Sequence, residues 1–127
     1  MPNARFTGST LQAIRDGKIL GLRAGSGKHR IIGIWVVVVE ERVFVRSWSV
    51  GEHGWYRALL DEPTGIITAP GRKSQIRVRA VRTRSERLRD AVSREYRRKY
   101  STPGSIRYAR DLGRPRSRAT TTELVPA

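Results

Sequence analysis

The most strongly patterned stretch of the chain runs from Ile31 to Val81. Ile31–Val39 (IIGIWVVVV) is nearly continuous in β-branched residues, which predicts a strand covered on both faces. Glu40-Glu41 follows as a short turn. It lacks the glycine that a tight hairpin favours, which leaves a looser connection open. Along Arg42–Trp48, Val43, Val45 and Ser47 share one face and Phe44, Arg46 and Trp48 share the other. Gly51–Gly54 leads into a short helix with a buried stripe of Trp55, Leu59 and Ala58, and Pro63 stops it. Thr64–Ala69 and Ser74–Thr83 then pair around Pro70-Gly71. In the second of these, Ile76, Val78 and Ala80 point one way while Arg77 and Arg79 point the other.

The flanks add helices and two more strands. Ser9 or Thr10 caps a short helix that ends at Gly17, and Lys18–Leu22 reads as the first strand. Thr83-Arg84-Ser85-Glu86 matches a capping box for the longest helix, which ends near Tyr100 with Leu88, Val92, Tyr96 and Tyr100 as its apolar stripe. Residues 105–118 read as a short helix through Leu112 and then an extended basic link. Ala119–Val125 has the composition of a closing strand. These elements form one domain over residues 1–127, mainly β with flanking helices. The predicted fold is an antiparallel split β-barrel of about six strands, with the helix around Trp55 at the split. A barrel mouth beside a helix is a natural seat for a flat ligand.

Charge sharpens this picture. The net charge is +15, and residues 71–118 carry seventeen Lys/Arg against four Asp/Glu. Arg72, Lys73, Arg77 and Arg79 on one sheet edge, with Arg87, Arg94, Arg97 and Arg98 on the long helix, give a surface suited to weak, non-specific nucleic-acid or polyanion binding. There is no cysteine, which removes disulfides, thiolate metal sites and cysteine nucleophiles together. His29 and His53 stand alone in loops, so no metal site is expected. No apolar run reaches membrane-spanning length and residues 1–17 have no signal core, so a cytoplasmic protein without membrane contact is expected. The loop Gly25-Ser26-Gly27-Lys28 does not make a P-loop, because His29 stands where Ser or Thr must hold magnesium. Loop N–H groups beside Lys28 and Arg30 still suit an anion.

The order of these blocks resembles the split β-barrel flavoproteins, which include the pyridoxamine-phosphate-oxidase-like proteins and the deazaflavin-dependent nitroreductases. Gly25-Ser26-Gly27-Lys28-His29-Arg30 echoes the basic opening motif of the nitroreductases, and Trp55-Tyr56, Leu59 and Pro63 echo their helix motif. The WVVVV strand, the VRSW–WYRA block, REYRRKY and TTTELVP are similar to a small uncharacterised bacterial branch of that superfamily. The resemblance covers most of the chain. It implies FMN or a deazaflavin as cofactor, a homodimer, and hydride transfer to a small acceptor, with no protein nucleophile required. By position it implies Lys28 and Arg30 at a cofactor phosphate or tail, Arg46, Ser47, Trp48 and Ser49 at ring and ribityl groups, and Trp55 and Arg57 at the helix start. Two departures stand out: Ala58 replaces an asparagine, and Asp61-Glu62 replaces Ala-Asn. They motivate a rival reading as a dimeric barrel without cofactor that binds a small ligand or partner. Each residue also has a packing reading. Trp35, Trp55, Tyr96 and Tyr100 suit a core, and Arg46 beside Trp48 suits a surface cation–π pair.

Overall fold

The structure is a computed structural model and describes residues 5–27 and 30–127. In chain order the elements are α1 (Gly8–Asp16), β1 (Ile19–Ala24), β2 (Ile32–Trp35), β3 (Val37–Val39), β4 (Arg42–Val45), α2 (Trp55–Asp61), β5 (Thr64–Thr68), β6 (Gln75–Arg82), α3 (Glu86–Lys99), α4 (Ile106–Asp111), α5 (Pro115–Arg118) and β7 (Thr122–Pro126). All strand pairs are antiparallel, in the order β2-β1-β5-β6-β7-β4-β3. The two outermost strands, β2 and β3, are separated in sequence only by Val36. One bent segment therefore supplies both edges, and the sheet curls into a nearly closed barrel, as the strand pattern predicts.

Alternation explains the core. Leu20, Leu22, Ala24, Ile34, Val43, Val45, Ile67, Val78 and Leu124 fill the barrel, with Leu11 and Ile14 of α1 and Leu59 of α2 packed against them. A second cluster lies outside the barrel wall. There Val37 and Phe44 meet Leu88, Val92, Tyr96 and Tyr100 of α3, together with Ala109 and Leu112. The predicted stripe on α3 is thus the face that covers β3 and β4.

The predicted strand Ile31–Val39 breaks at Val36, and only its second half is covered on both faces; Ile31, Ile32 and Gly33 are exposed. The break is sealed by α3. The Val36 N–H donates to Tyr100 Oη at 2.9 Å, and the Val36 carbonyl accepts from Lys99 Nζ, also at 2.9 Å. Buried backbone groups that leave a ladder need such partners.

Glu40-Glu41 makes a tight turn after all. Val39 pairs with Arg42, and both glutamates have positive φ, 54° and 62°. Two αL residues in a two-residue loop suit the twist of a hairpin but are unfavourable for residues other than glycine. Glu40 pairs with Arg87 on α3 and Glu41 with Arg15 on α1, so the turn is held from both sides.

Several boundaries differ from the sequence pattern. Thr7 caps α1 rather than Ser9 or Thr10, its side chain accepting from the Thr10 N–H. Ser85 caps α3, because Thr83 is still on the sheet, its N–H bonded to the Thr121 carbonyl. The pairing of β4 stops at Val45, not Trp48, where the wall opens. On α2, Tyr56 and Leu59 are buried while Trp55 and Ala58 are only partly covered. The stretch expected as an extended link contains α5, started by Pro115 at its first turn.

Candidate functional site

A cleft lies on the outer face of the sheet, at the ends of β1, β5 and β6. Its volume is about 410 Å³, and it is lined by Arg23, Gly25, Ser26, Thr64, Gly65, Ile66, Arg77, Val78 and Ala127. Register explains the arrangement. Arg23 sits opposite Ile66, and Ile66 sits opposite Arg77, so two arginines flank one apolar side chain across three strands. Leu22 and Ala24 point into the barrel, which turns Arg23 outward; Ile76 and Val78 do the same for Arg77.

Arg23 is the unusual member. Its Nε is buried and has no hydrogen-bond partner, the sole such side-chain atom among the described residues. A buried guanidinium donor without an acceptor costs about 1–3 kcal/mol, and an incoming anion would remove that cost. No ion pair joins Arg23, Arg77 or Arg79 to an acid among the described residues. The cleft therefore presents two guanidiniums, Arg23 and Arg77, without a carboxylate ion pair among the described residues, beside the Ala127 terminus.

Local backbone fixes its floor. Gly25 has φ 75° and donates its N–H to the Thr64 carbonyl at 2.7 Å, folding the loop back over β5. A Cβ on Gly65 would lie 2.6 Å from the Arg23 carbonyl oxygen, so only glycine lets β1 and β5 approach there. The Glu62 carboxylate lies against Gly25, 3.3 Å from where a Cβ would be, so one acidic group borders the loop side.

The residues expected at a cofactor do not gather in one place. Lys28 lies outside the described residues. Arg30 and Trp55 do come together, with Ile32, His53, Gly54 and Ala58, around a smaller recess of about 120 Å³ at the split between β2 and α2. This recess uses the inner-facing Leu22 and Ala24, so it and the larger cleft lie on opposite faces of β1. Arg57 is exposed on α2.

Arg46 is elsewhere and fully committed. It is 2 % exposed, beneath α3. Its Nε donates to Thr121 Oγ1 (2.9 Å), Nη1 to Ser93 Oγ (2.7 Å) and the Leu112 carbonyl (2.9 Å), and Nη2 to the Arg89 carbonyl (2.7 Å). Burial pushes its guanidinium down to about 10, and Arg118, Arg89 and Arg97 add repulsion. Phe44 and Arg46 share the face of β4 that α3 covers, so Arg46 tethers the helical layer to the barrel and is not offered to a ligand. It is also not a surface partner of Trp48; its nearest ring is Tyr96, at 6.0 Å.

Ser47 is buried, its N–H donating to Thr120 Oγ1, and Ser49 bonds back to it, forming a local turn. Trp48 is 44 % exposed and packs edge-on against Trp35 and Tyr108. Arg23 and Gly65 escaped the sequence reading because their role depends on the β1–β5–β6 register. The alternation that turns Arg77 outward was the one local sign. Among the described residues no group of His, Asp and Glu could hold a metal ion. No helix is long and apolar enough to cross a membrane among the described residues.

No curated protein matches the chain. A family model described as "uncharacterized protein conserved in bacteria" matches residues 9–124, and the chain belongs to that family, DUF2255.

Proposed function

We propose that this protein is a homodimeric split barrel that binds a phosphate-bearing, flat-ring cofactor of the flavin or deazaflavin class and reduces a small acceptor. The supporting observation is the Arg23–Ile66–Arg77 row in the outer cleft, with the Arg23 Nε buried and unpartnered. Two guanidiniums on either side of an apolar side chain suit an anionic group attached to a hydrophobic body. The residues present fit such a ligand: Arg23 and Arg77 for the phosphate, the Ser26 hydroxyl beside them, and Ile66 with the Gly65 backbone as an apolar floor.

When bound, such a cofactor supplies the hydride chemistry itself. The chain's own residues bind, orient and exclude water. Arg23 and Arg77 hold charge at one end, and Ile66 with the Gly65 backbone keeps the floor flat. A cleft on one sheet face gives a ring a single wall, so a second copy is the natural source of the other. Exposed Ile19 and Ile31 on the same outer face are available to that contact.

The test is an absorbance spectrum of protein purified from a host making both cofactors, followed by calorimetric titration with FMN, riboflavin and a deazaflavin. Binding of FMN at least about tenfold tighter than riboflavin is expected from a charge-assisted phosphate contact. A colourless protein that ignores all three ligands would overturn the proposal, and a monomer at micromolar concentration by sedimentation would overturn its dimeric part.

A further inference from the structure

The helical layer opposite the cleft combines exposed rings with surplus arginine. Trp48 and Tyr108 are 44 % and 42 % exposed. Their rings stand at 86° with centroids 6.5 Å apart, and Trp48 Nε1 donates to the Tyr108 carbonyl at 3.3 Å. The far side of Trp48 rests on Trp35, at 5.3 Å. Arg107 lies over Tyr108, 4.8 Å from the ring centre, and donates to its hydroxyl at 2.8 Å. The two rings are therefore held in place by the fold yet open to solvent.

The surrounding charge is one-sided. Residues 94–116 contain eight Lys/Arg and two acids. Both acids are already paired, Glu95 with Arg98 and Asp111 with Arg114. Arg94, Arg97, Arg107 and Arg110 remain exposed on α3 and α4, without an acidic partner among the described residues. Arg97 reaches toward α4, with Nη1 3.8 Å from where a Cβ of Gly113 would lie. Arg97 thus approaches the C-terminal end of α4, whose own Arg107 contacts Tyr108 of the aromatic pair.

We infer that this surface binds single-stranded nucleic acid. Cations alone would bind any polyanion by releasing its counterions. Fixed, exposed rings beside them add stacking faces for unpaired bases, which a duplex does not offer. Arg107 beside Tyr108 places a cation next to that stacking face. The short α4 has neither the length nor the shape of a groove-reading helix, so no sequence preference is expected.

Fluorescence anisotropy of a labelled fifteen-nucleotide oligo-dT tests this on the full chain between 50 and 200 mM NaCl. Binding should weaken steeply with salt. Tyr108→Ala should weaken it about tenfold, as expected for one lost stacked base, with an unchanged salt slope. Arg107→Gln with Arg110→Gln should instead flatten the slope. Trp48→Phe serves as a second variant that retains packing on Trp35. Duplex of equal length should bind more weakly than the single strand. Duplex binding as tight as the single strand, or an affinity untouched by both Tyr108→Ala and Trp48→Phe, overturns the inference. So does association with anionic vesicles in the absence of any oligonucleotide binding.

Discussion

Replacing Arg46 by methionine asks whether a buried cation without a counterion stabilises this fold. The guanidinium makes four hydrogen bonds, all to neutral acceptors: two hydroxyls and two helix-layer carbonyls. Burial lowers its pKa from the usual guanidinium range to about 10, which corresponds to about 3 kcal/mol against the charged form in the folded state. Charge-assisted hydrogen bonds contribute about 1.5–3 kcal/mol each, so four of them amount to about 6–12 kcal/mol and outweigh that penalty. Methionine removes both terms and leaves the Arg89 and Leu112 carbonyls without this donor. The expected loss is about 3–5 kcal/mol, the range for breaking a buried polar network. Urea unfolding followed by tryptophan fluorescence should show the midpoint lowered by about 1–2 M at an unchanged slope. The folded fraction of the variant should bind any cleft ligand as the parent does, because Arg46 touches neither Arg23 nor Arg77. A methionine variant as stable as the parent would refute this reasoning, and one that is stable but loses ligand would return Arg46 to the site.

Other perturbations follow from the same structure. Glu41→Gly relieves a φ of 62° at the loss of an exposed pair with Arg15, so a net gain of about 0.5–1 kcal/mol and a melting point a few degrees higher are expected in calorimetry. A lower melting point would mean the pair outweighs the strain. Gly65→Ala should cost about 2 kcal/mol, because the new Cβ meets backbone, and should weaken cleft ligands as well; chemical unfolding and titration read the two effects separately. Lys99 donates to the Ile14 and Val36 carbonyls, and burial pushes its ammonium down to about 8. Between about pH 8 and 10.5 the unfolded chain then holds more protons than the folded one, so this group's contribution to stability rises with pH. Because the side chain is partly exposed, the gain is screened to about 1 kcal/mol. The stability gap between the parent and Lys99→Met should widen by that amount from pH 7 to pH 10; a constant gap would remove the effect.

Much of the fold is legible in local pattern. The stripe Leu88, Val92, Tyr96 and Tyr100 and the alternation in β4 and β6 each name a buried face without help from distant residues. What is missed depends on contacts far apart in sequence. The break at Val36 exists because Tyr100 and Lys99 replace the lost ladder partners, 64 and 63 residues away. The tight Glu40-Glu41 turn violates local preference, and its two ion pairs reach α1 and α3. Arg46 reads as a site residue only from its position in the family resemblance, and the four acceptors that bury it lie 43 to 75 positions along the chain. The outer cleft is invisible for the same reason, since β1, β5 and β6 align Arg23 with Arg77 only after the sheet forms. Among the expected site residues that are described, the fold unites Arg30 with Trp55, commits Arg46 to the helical layer and leaves Arg57 exposed on α2.

The most direct measurement is a crystal structure of the protein grown with FMN. The phosphate should lie within hydrogen-bond distance of the Arg23 and Arg77 guanidiniums, with the ring over Ile66 and a second copy closing the other side. FMN seated instead at the split beside Arg30 and Trp55, or no bound ligand at saturating concentration, would contradict the assignment of the outer cleft.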